Sequence, residues 1–230
     1  MKTIISCSLA GLTLLANAAN AGGMEGYGIP SNVSLYAGAS AGMANHDGAC
    51  SAANVSSNCD DSASGYKVFA GAKIAPQTGN YIVTPGVVMP AAALPTLGVE
   101  AGYMDLGGGS SDGKAGRTNI YDAKSSSDLS ASYLAGVGYM QVAPRTELLG
   151  KAGVAFWKQN GKREVPQDTD LNIETSNSGT GLLLGGGAQY KINENLSVRG
   201  EYEHVFGTAK DTPYESDAGL YSLGAVFSTL

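Results

Sequence analysis

An all-β chain closed as an eight-stranded antiparallel up-and-down barrel that spans a membrane is what this sequence predicts, and three observations predict it. Segments of about ten residues alternate apolar side chains with small, polar or charged ones, a period of two and not of 3.6. The connections between segments alternate between long polar stretches and mostly short ones, as membrane barrels require. Tyrosines and phenylalanines gather at the ends of the apolar faces, where a bilayer interface would hold them. The pattern is clearest from Gly179 to Phe206. Leu182, Leu184, Gly186, Ala188, Tyr190 and Ile192 share one parity, and after Asn193-Glu194-Asn195 the residues Leu196, Val198, Gly200, Tyr202 and Phe206 continue that apolar face.

Composition narrows the class. The 230 residues include 33 Gly and 8 Pro, only 15% are charged, and the net charge is −6 with mean hydropathy −0.04. An acidic, glycine-rich chain suits neither nucleic acid nor a helical bundle. Half of each barrel strand faces a polar lumen, so modest hydropathy is compatible with lipid. Met1 to Ala21 reads as a cleaved signal peptide: Lys2, an apolar run from Ile4 to Leu15, then Ala19-Asn20-Ala21. Cys7 lies inside it without a lipid-attachment context. Residues 22–230 are then one barrel domain. Cys50 and Cys59 remain, and an even pair in an exported chain predicts a disulfide across a polar loop. A metal site would want more ligands than the nearby His46 and Asp47, and no cofactor is expected.

In chain order, the first strand, 33–43, sets Val33, Leu35, Ala37, Ala39, Ala41 and Met43 outward against Ser34, Tyr36, Gly38, Ser40 and Gly42. The second, 65–75, sets Tyr66, Val68, Ala70, Ala72 and Ile74 against Lys67, Phe69, Gly71 and Lys73. Both lysines must point inward, because a lipid-facing Lys costs about 2–4 kcal/mol at the midplane. Residues 76–95 carry prolines at 76, 85, 90 and 95 and predict an extended connection. A ten-stranded ring is the alternative if this stretch pairs. The third strand, 96–107, points Leu97, Val99, Ala101 and Tyr103 outward and Gly98, Glu100, Gly102 and Met104 inward. The fourth, 128–142, is assigned Tyr133, Ala135, Val137 and Tyr139 outward. After Ala143-Pro144-Arg145 the fifth, 146–157, sets Leu148, Ala152, Val154 and Phe156 against Glu147, Leu149, Lys151, Gly153 and Ala155. The hairpin described above supplies the sixth and seventh strands. The eighth, 219–230, points Tyr221, Leu223, Ala225 and Phe227 outward. Polar loops are expected at 44–64, 108–127, 158–178 and 208–218. Two aromatic belts result: Tyr66, Tyr103, Tyr133, Phe156, Phe206 and Tyr221 toward the long loops, and Tyr139, Tyr190 and Phe227 toward the short turns.

The inward parity carries Lys67, Lys73, Lys151 and Arg199 with Glu100, Glu147, Glu201 and Glu203. A ring of eight strands is only wide enough for side chains to fill. The expected outcome is a paired ionic plug, with Lys67, Lys73, Glu100, Lys151, Arg199 and Glu201 as its candidate cluster. A narrow gated ion path is the competing reading. His204 follows Glu203 near the rim, but no serine lies two residues on, and His46-Asp47 has no third partner, so catalysis is not expected.

LGVEAGYMDLG (97–107), GVGY (136–139), LLGKAGVAFW (148–157) and GGGAQYKINENLSVRGEYEH (185–204) together resemble the transmembrane barrel of the outer membrane protein A family. The resemblance implies a Gram-negative outer membrane, with lipid and lipopolysaccharide as partners and a possible host or surface ligand at the loops. It also implies that Glu100, Arg199 and Lys151 belong to an interior ion-pair set linked in that family to small conductance. Gly136 stands where the family has a lysine and Gln189 where it has a glutamate, so a switch between two pairings is expected to lack its second partners. The ending Phe227-Ser228-Thr229-Leu230 and the lack of a following peptidoglycan-binding domain point to the barrel-only surface-antigen type, whose usual work is surface contact.

Overall fold

The computed structural model describes residues 32–47, 59–60, 62–76, 80–84, 87–90, 95–115, 121–165, 172–208 and 216–229. Among them are eleven strands: β1 (Val33–Asp47), β2 (Cys59–Asp60), β3 (Ser62–Ile74), β4 (Asn80–Thr84), β5 (Val87–Pro90), β6 (Thr96–Ala115), β7 (Tyr121–Ala143), β8 (Thr146–Glu164), β9 (Ile173–Lys191), β10 (Leu196–Thr208) and β11 (Ser216–Ser228). Eight of them form the ring β6-β3-β1-β11-β10-β9-β8-β7, and β7 pairs back onto β6. First and last strands meet from Tyr36↔Ser228 to Asp47↔Asp217. Closure satisfies the shared ladders without an open edge, the condition for crossing lipid with strands.

One end of the ring has tight turns. Pro144-Arg145 joins β7 to β8. Between β9 and β10, Asn193 Oδ1 accepts hydrogen bonds from the amides of Asn195 (3.0 Å) and Leu196 (2.7 Å), an Asx-type reversal. The opposite end receives every long polar connection.

The predicted faces hold on seven strands. Outward side chains form an apolar belt with Leu97 62% and Leu223 65% exposed, which a water-soluble barrel would not leave bare. The exception is β7, where the parity is reversed. Tyr133, Ala135, Val137 and Tyr139 are buried in the lumen, and Leu134, Gly136 and Met140 face out. Glycines on neighbouring strands make the room for inward rings. Tyr36 sits across from Gly71, Phe69 across from Gly38 and Gly102, Tyr133 across from Gly102, and Trp157 across from Gly179. A Cβ at Gly102 would meet the Tyr133 ring at 2.7 Å. The belts change accordingly. Tyr133 and Tyr139 leave them, the long-connection rim gains Tyr202, and the turn-end rim is largely aliphatic, with Ile74, Leu97, Met140, Val142 and Ile192 exposed beside Tyr190.

Two bulges bend the ladder near the long-connection end, between Asp105 and Gly108 on β6 and between Val205 and Thr208 on β10. Each contains a glycine with positive φ, Gly107 (67°) and Gly207 (71°). Each glycine amide donates to an aspartate, Asp105 Oδ1 at 2.9 Å and Asp217 Oδ1 at 2.8 Å. A left-handed conformation costs an L-residue about 1–2 kcal/mol. Gly207→Ala, with open space around its Cβ, is therefore expected to lower stability by about that amount. Gly107→Ala should cost more, because its Cβ would lie 2.6 Å from the Ser64 carbonyl oxygen. Urea midpoints of the two variants check the ranking.

Three expectations about connections are corrected. Strands β6 to β9 continue well into 108–127 and 158–178, pairing from Gly108↔Asp128 to Ala115↔Tyr121 and from Lys158↔Ser178 to Arg163↔Ile173. Those segments are polar on both faces, so alternation cannot announce them. Within 44–64, β1 extends to Asp47 and β3 begins at Ser62. Within 76–95, β4 and β5 form a separate two-stranded sheet, not two further staves of the ring. Pro90 is tolerated because it ends β5 in a sheet that has only edges. The leader 1–21 and Cys50, and with it the Cys50–Cys59 disulfide, lie outside the described residues.

Candidate functional site

The strand period assembles the lumen cluster. Arg199, Glu201 and Glu203 share the inward parity of β10 and form a column, joined by Lys67 from β3, Glu100 from β6 and Lys151 from β8. The Gly185 to Gly187 run explains itself here. Gly185 lies across from Glu203 and Lys151, and Gly187 across from Glu201. A Cβ at Gly185 would approach Glu203 Cγ to 3.0 Å and Lys151 Cγ to 3.1 Å.

Three cations interleave with three carboxylates. Lys151 Nζ contacts Glu100 Oε1 (2.6 Å), Glu201 Oε1 (2.7 Å) and Glu203 Oε1 (2.9 Å). Lys67 Nζ bridges Glu201 and Glu203, at 2.6 Å from Glu203 Oε2. Arg199 Nη1 donates to Glu100 Oε2 at 2.8 Å, and its Nε donates to Gln189 Oε1 at 2.9 Å. Glu100 also accepts from Tyr133 (2.7 Å) and Tyr36 (3.0 Å), and Tyr139 donates to the Tyr36 hydroxyl at 2.9 Å. Phe69 lies under the cations, its centroid 4.9 Å from both Lys67 Nζ and Arg199 Cζ. All six charged side chains are fully or almost fully buried, so each depends on these partners for the hydration it has lost.

The cluster is bounded on both sides. Toward the long connections the lumen is filled by Met104, Leu106, Leu129, Trp157, Val205 and Leu220, all buried. Toward the turns lies a separate ion group, Glu147 with Lys73 (3.0 Å) and Lys191 (2.8 Å).

Of the predicted cluster, Lys67, Glu100, Lys151, Arg199 and Glu201 come together, and Glu203 completes them. Lys73 does not join. It belongs to the turn-end group, with its Nζ 3.8 Å from the Tyr139 centroid. The missed members are Tyr36, Tyr133, Tyr139 and Gln189, and the glycine facing each large inward ring was the available signal for the first two. At Gly136 and Gln189, where second partners are expected to be lacking, no charged side chain stands. Gly136 does face outward, and Gln189 binds Arg199 as a neutral acceptor. Yet Glu201 Oε1 stands 3.8 Å from Arg199 Nη1, and Lys151 supplies a second cation from β8.

The oxygens of Glu100, Glu201 and Glu203 lie within 4.8 Å of one another, a spacing that could hold a metal ion. Lys67 and Lys151 already occupy that space, so the group does not fit a metal. His46 is not a loop residue. It is buried on β1, with Nε2 3.2 Å from the Leu106 carbonyl. His204 faces outward at the rim, with Nδ1 3.1 Å from the Tyr202 hydroxyl and Nε2 3.5 Å from Asp217 Oδ2.

Tyr133→Phe removes one donor from a buried carboxylate. It is expected to cost about 1.5–3 kcal/mol, the range for hydrogen bonds to charged groups. Equilibrium unfolding of the variant in vesicles measures it.

The model of the OmpA-like transmembrane domain matches residues 30–229. Among solved structures, the chain is similar to Ail, the attachment invasion locus protein of Yersinia pestis, at 14% identity over 85% of this chain and 97% of that one, TM-score 0.43. It is similar to the outer membrane protein OprG from Pseudomonas aeruginosa at 13% identity over 86% and 95%, TM-score 0.47. It is similar to Neisserial surface protein A at 13% identity over 86% and 97%, TM-score 0.39. No curated protein sequence matches the chain.

Proposed function

The chain belongs to the OmpA-like transmembrane domain family and is an outer-membrane β-barrel of a Gram-negative bacterium, and from that premise we propose that it is a closed, non-catalytic anchor whose work is surface contact. The observation that carries this reading is the extension of β6 to β9. These four strands keep pairing past the level at which β10 ends, and raise a polar sheet rich in Ser, Gly and Asn on the long-connection side. Pairing along this wall includes the registers Lys124↔Glu164 and Lys162↔Glu174, with a Lys162–Glu164 ion pair at 2.9 Å. Residues on such a scaffold are held in place for recognition at lower entropic cost than on a free loop. The turns then lie on the periplasmic side, as do the start of β1 at Val33 and the end of β11 at Ser228. Lipid and lipopolysaccharide are its standing partners along the outward belt.

Replacing 109–127 and 160–177 by short turns tests the reading. Heat-modifiable gel mobility should show the barrel still folding, and attachment of cells carrying it to host-cell layers should fall to that of cells without the protein. Undiminished attachment would refute the surface role.

The second reading, a narrow low-conductance pore, is favoured by one contact. Arg199 has Glu201 within 3.8 Å as an alternative to Glu100. The apolar fill beyond the cluster opposes it, since a packed hydrophobic constriction excludes water and closes an ion path.

A further inference from the structure

We infer that the turn-end mouth of the lumen is an anion site, built to take a single carboxylate or phosphate group presented from the periplasmic side. Charge balance is the first observation. In the cluster above it three cations meet three carboxylates, whereas at the mouth Lys73 and Lys191 share Glu147, one lysine on each carboxylate oxygen at 3.0 and 2.8 Å. Arg145 and Glu194, on the two adjoining turns, are exposed and offset each other. One positive charge is left over, in a group that has lost much of its water, since the side chains of Lys73 and Glu147 are each only 13% exposed. Such a charge is stabilised by an opposite one brought against it.

Two inward donors beside the lysines are the second observation. Ser197 lies directly across the ladder from Lys191, and Gln189 directly across from Glu147, so each pair has its Cβ atoms about 4.5–5.5 Å apart on the lumen face. Gln189 Oε1 accepts from Arg199 Nε. A guanidinium can only donate, so the amide nitrogen is the end of Gln189 that is left over. Neither that nitrogen nor the Ser197 hydroxyl has a hydrogen-bond partner among the described residues, although both residues are more than nine-tenths buried. Buried donors of this kind call for an acceptor. Two ammonium groups, an amide N–H and a hydroxyl against one carboxylate make a donor set suited to an oxyanion and not to a cation. The inner wall of the site is fixed by the Tyr139 ring, 3.8 Å from Lys73 Nζ and tied through its hydroxyl to Tyr36. On the solvent side Lys191, its side chain 41% exposed, can turn from Glu147 toward an incoming group.

The test is titration of the refolded, nitrogen-15-labelled protein in detergent micelles with inorganic phosphate, exchanged against chloride at constant ionic strength. The Gln189 side-chain amide and the Ser197 backbone amide should move along one saturable curve. Lys191→Gln and Lys73→Gln should each weaken the apparent affinity by about tenfold or more, the loss of one charged hydrogen bond. Lys158→Gln, at an exposed position toward the opposite end, should leave the curve unchanged. Shifts that never saturate, or a saturable curve that Lys191→Gln leaves in place, would overturn the inference. Should Lys73→Gln fail to fold, Lys191→Gln, at the more exposed position, carries the decision. Repeating the titration with acetate separates the two sources: tighter binding of acetate assigns the site to a carboxyl end, and tighter binding of phosphate to a phosphoryl group. Only the side of the membrane that the mouth faces rests on the reading above. Binding in micelles is independent of it, so failure of this titration and failure of the surface role are separate results.

Discussion

Lys151→Ala is expected to lower the unfolding free energy of the barrel by about 3–5 kcal/mol, the cost of removing one partner from a buried ionic set. Among the described residues, Lys151 is the single cation in contact with all three carboxylates. Without it, Glu100, Glu201 and Glu203 face only Lys67 and Arg199, and one buried charge is left uncompensated. Lys151→Met, which keeps most of the stem, should cost nearly as much, which separates lost charge from lost packing. Adding Glu203→Gln to Lys151→Met restores neutrality and should recover part of the loss, as coupled neighbours do. Urea titrations in vesicles, read by the heat-modifiable gel shift, give all three values. A change within about 0.5 kcal/mol for Lys151→Ala would place it with ordinary surface substitutions and refute the plug as a source of stability.

Leu134→Arg is expected to cost about 2–4 kcal/mol in a bilayer, the penalty for a cation on the lipid face near the midplane. Leu134 lies midway along the paired length of β7, opposite Ala101 and Val154, and is 52% exposed. The same substitution at Ser176, on the wall above the belt, should change stability by less than about 0.5 kcal/mol. The pair tests both the parity of β7 and the height of the apolar belt, because with Leu134 inside the lumen its arginine would meet the carboxylates instead of lipid.

The reason seven strand faces were legible is physical. Where one face meets lipid and the other meets charge, as on β3 and β10, only one register keeps Lys67 or Arg199 out of hydrocarbon. On β7 both parities are free of charge from Leu129 to Met140, so the pattern along the strand alone assigns the tyrosines to an interfacial belt. Their lumen position follows from a non-local fact, the glycine across the ladder, which one strand read alone cannot reveal. The wall above the belt is hidden for another reason, since Ser125-Ser126-Ser127 and Ser176-Asn177-Ser178 are polar at every position and have no hydrophobic period to read. For the site, parity alone found the charged residues. Parity gives no height along the lumen, however, so it groups Lys73, at the turn end, with a cluster that the side chain does not reach.

Whether this barrel is closed is decided by current through a planar bilayer. Refolded protein whose gel mobility confirms the barrel should leave the bilayer at its baseline conductance, for the unmodified chain and for Arg199→Ala alike. Discrete openings from the unmodified barrel that disappear in Arg199→Ala would contradict the claim and make the ionic cluster a gate.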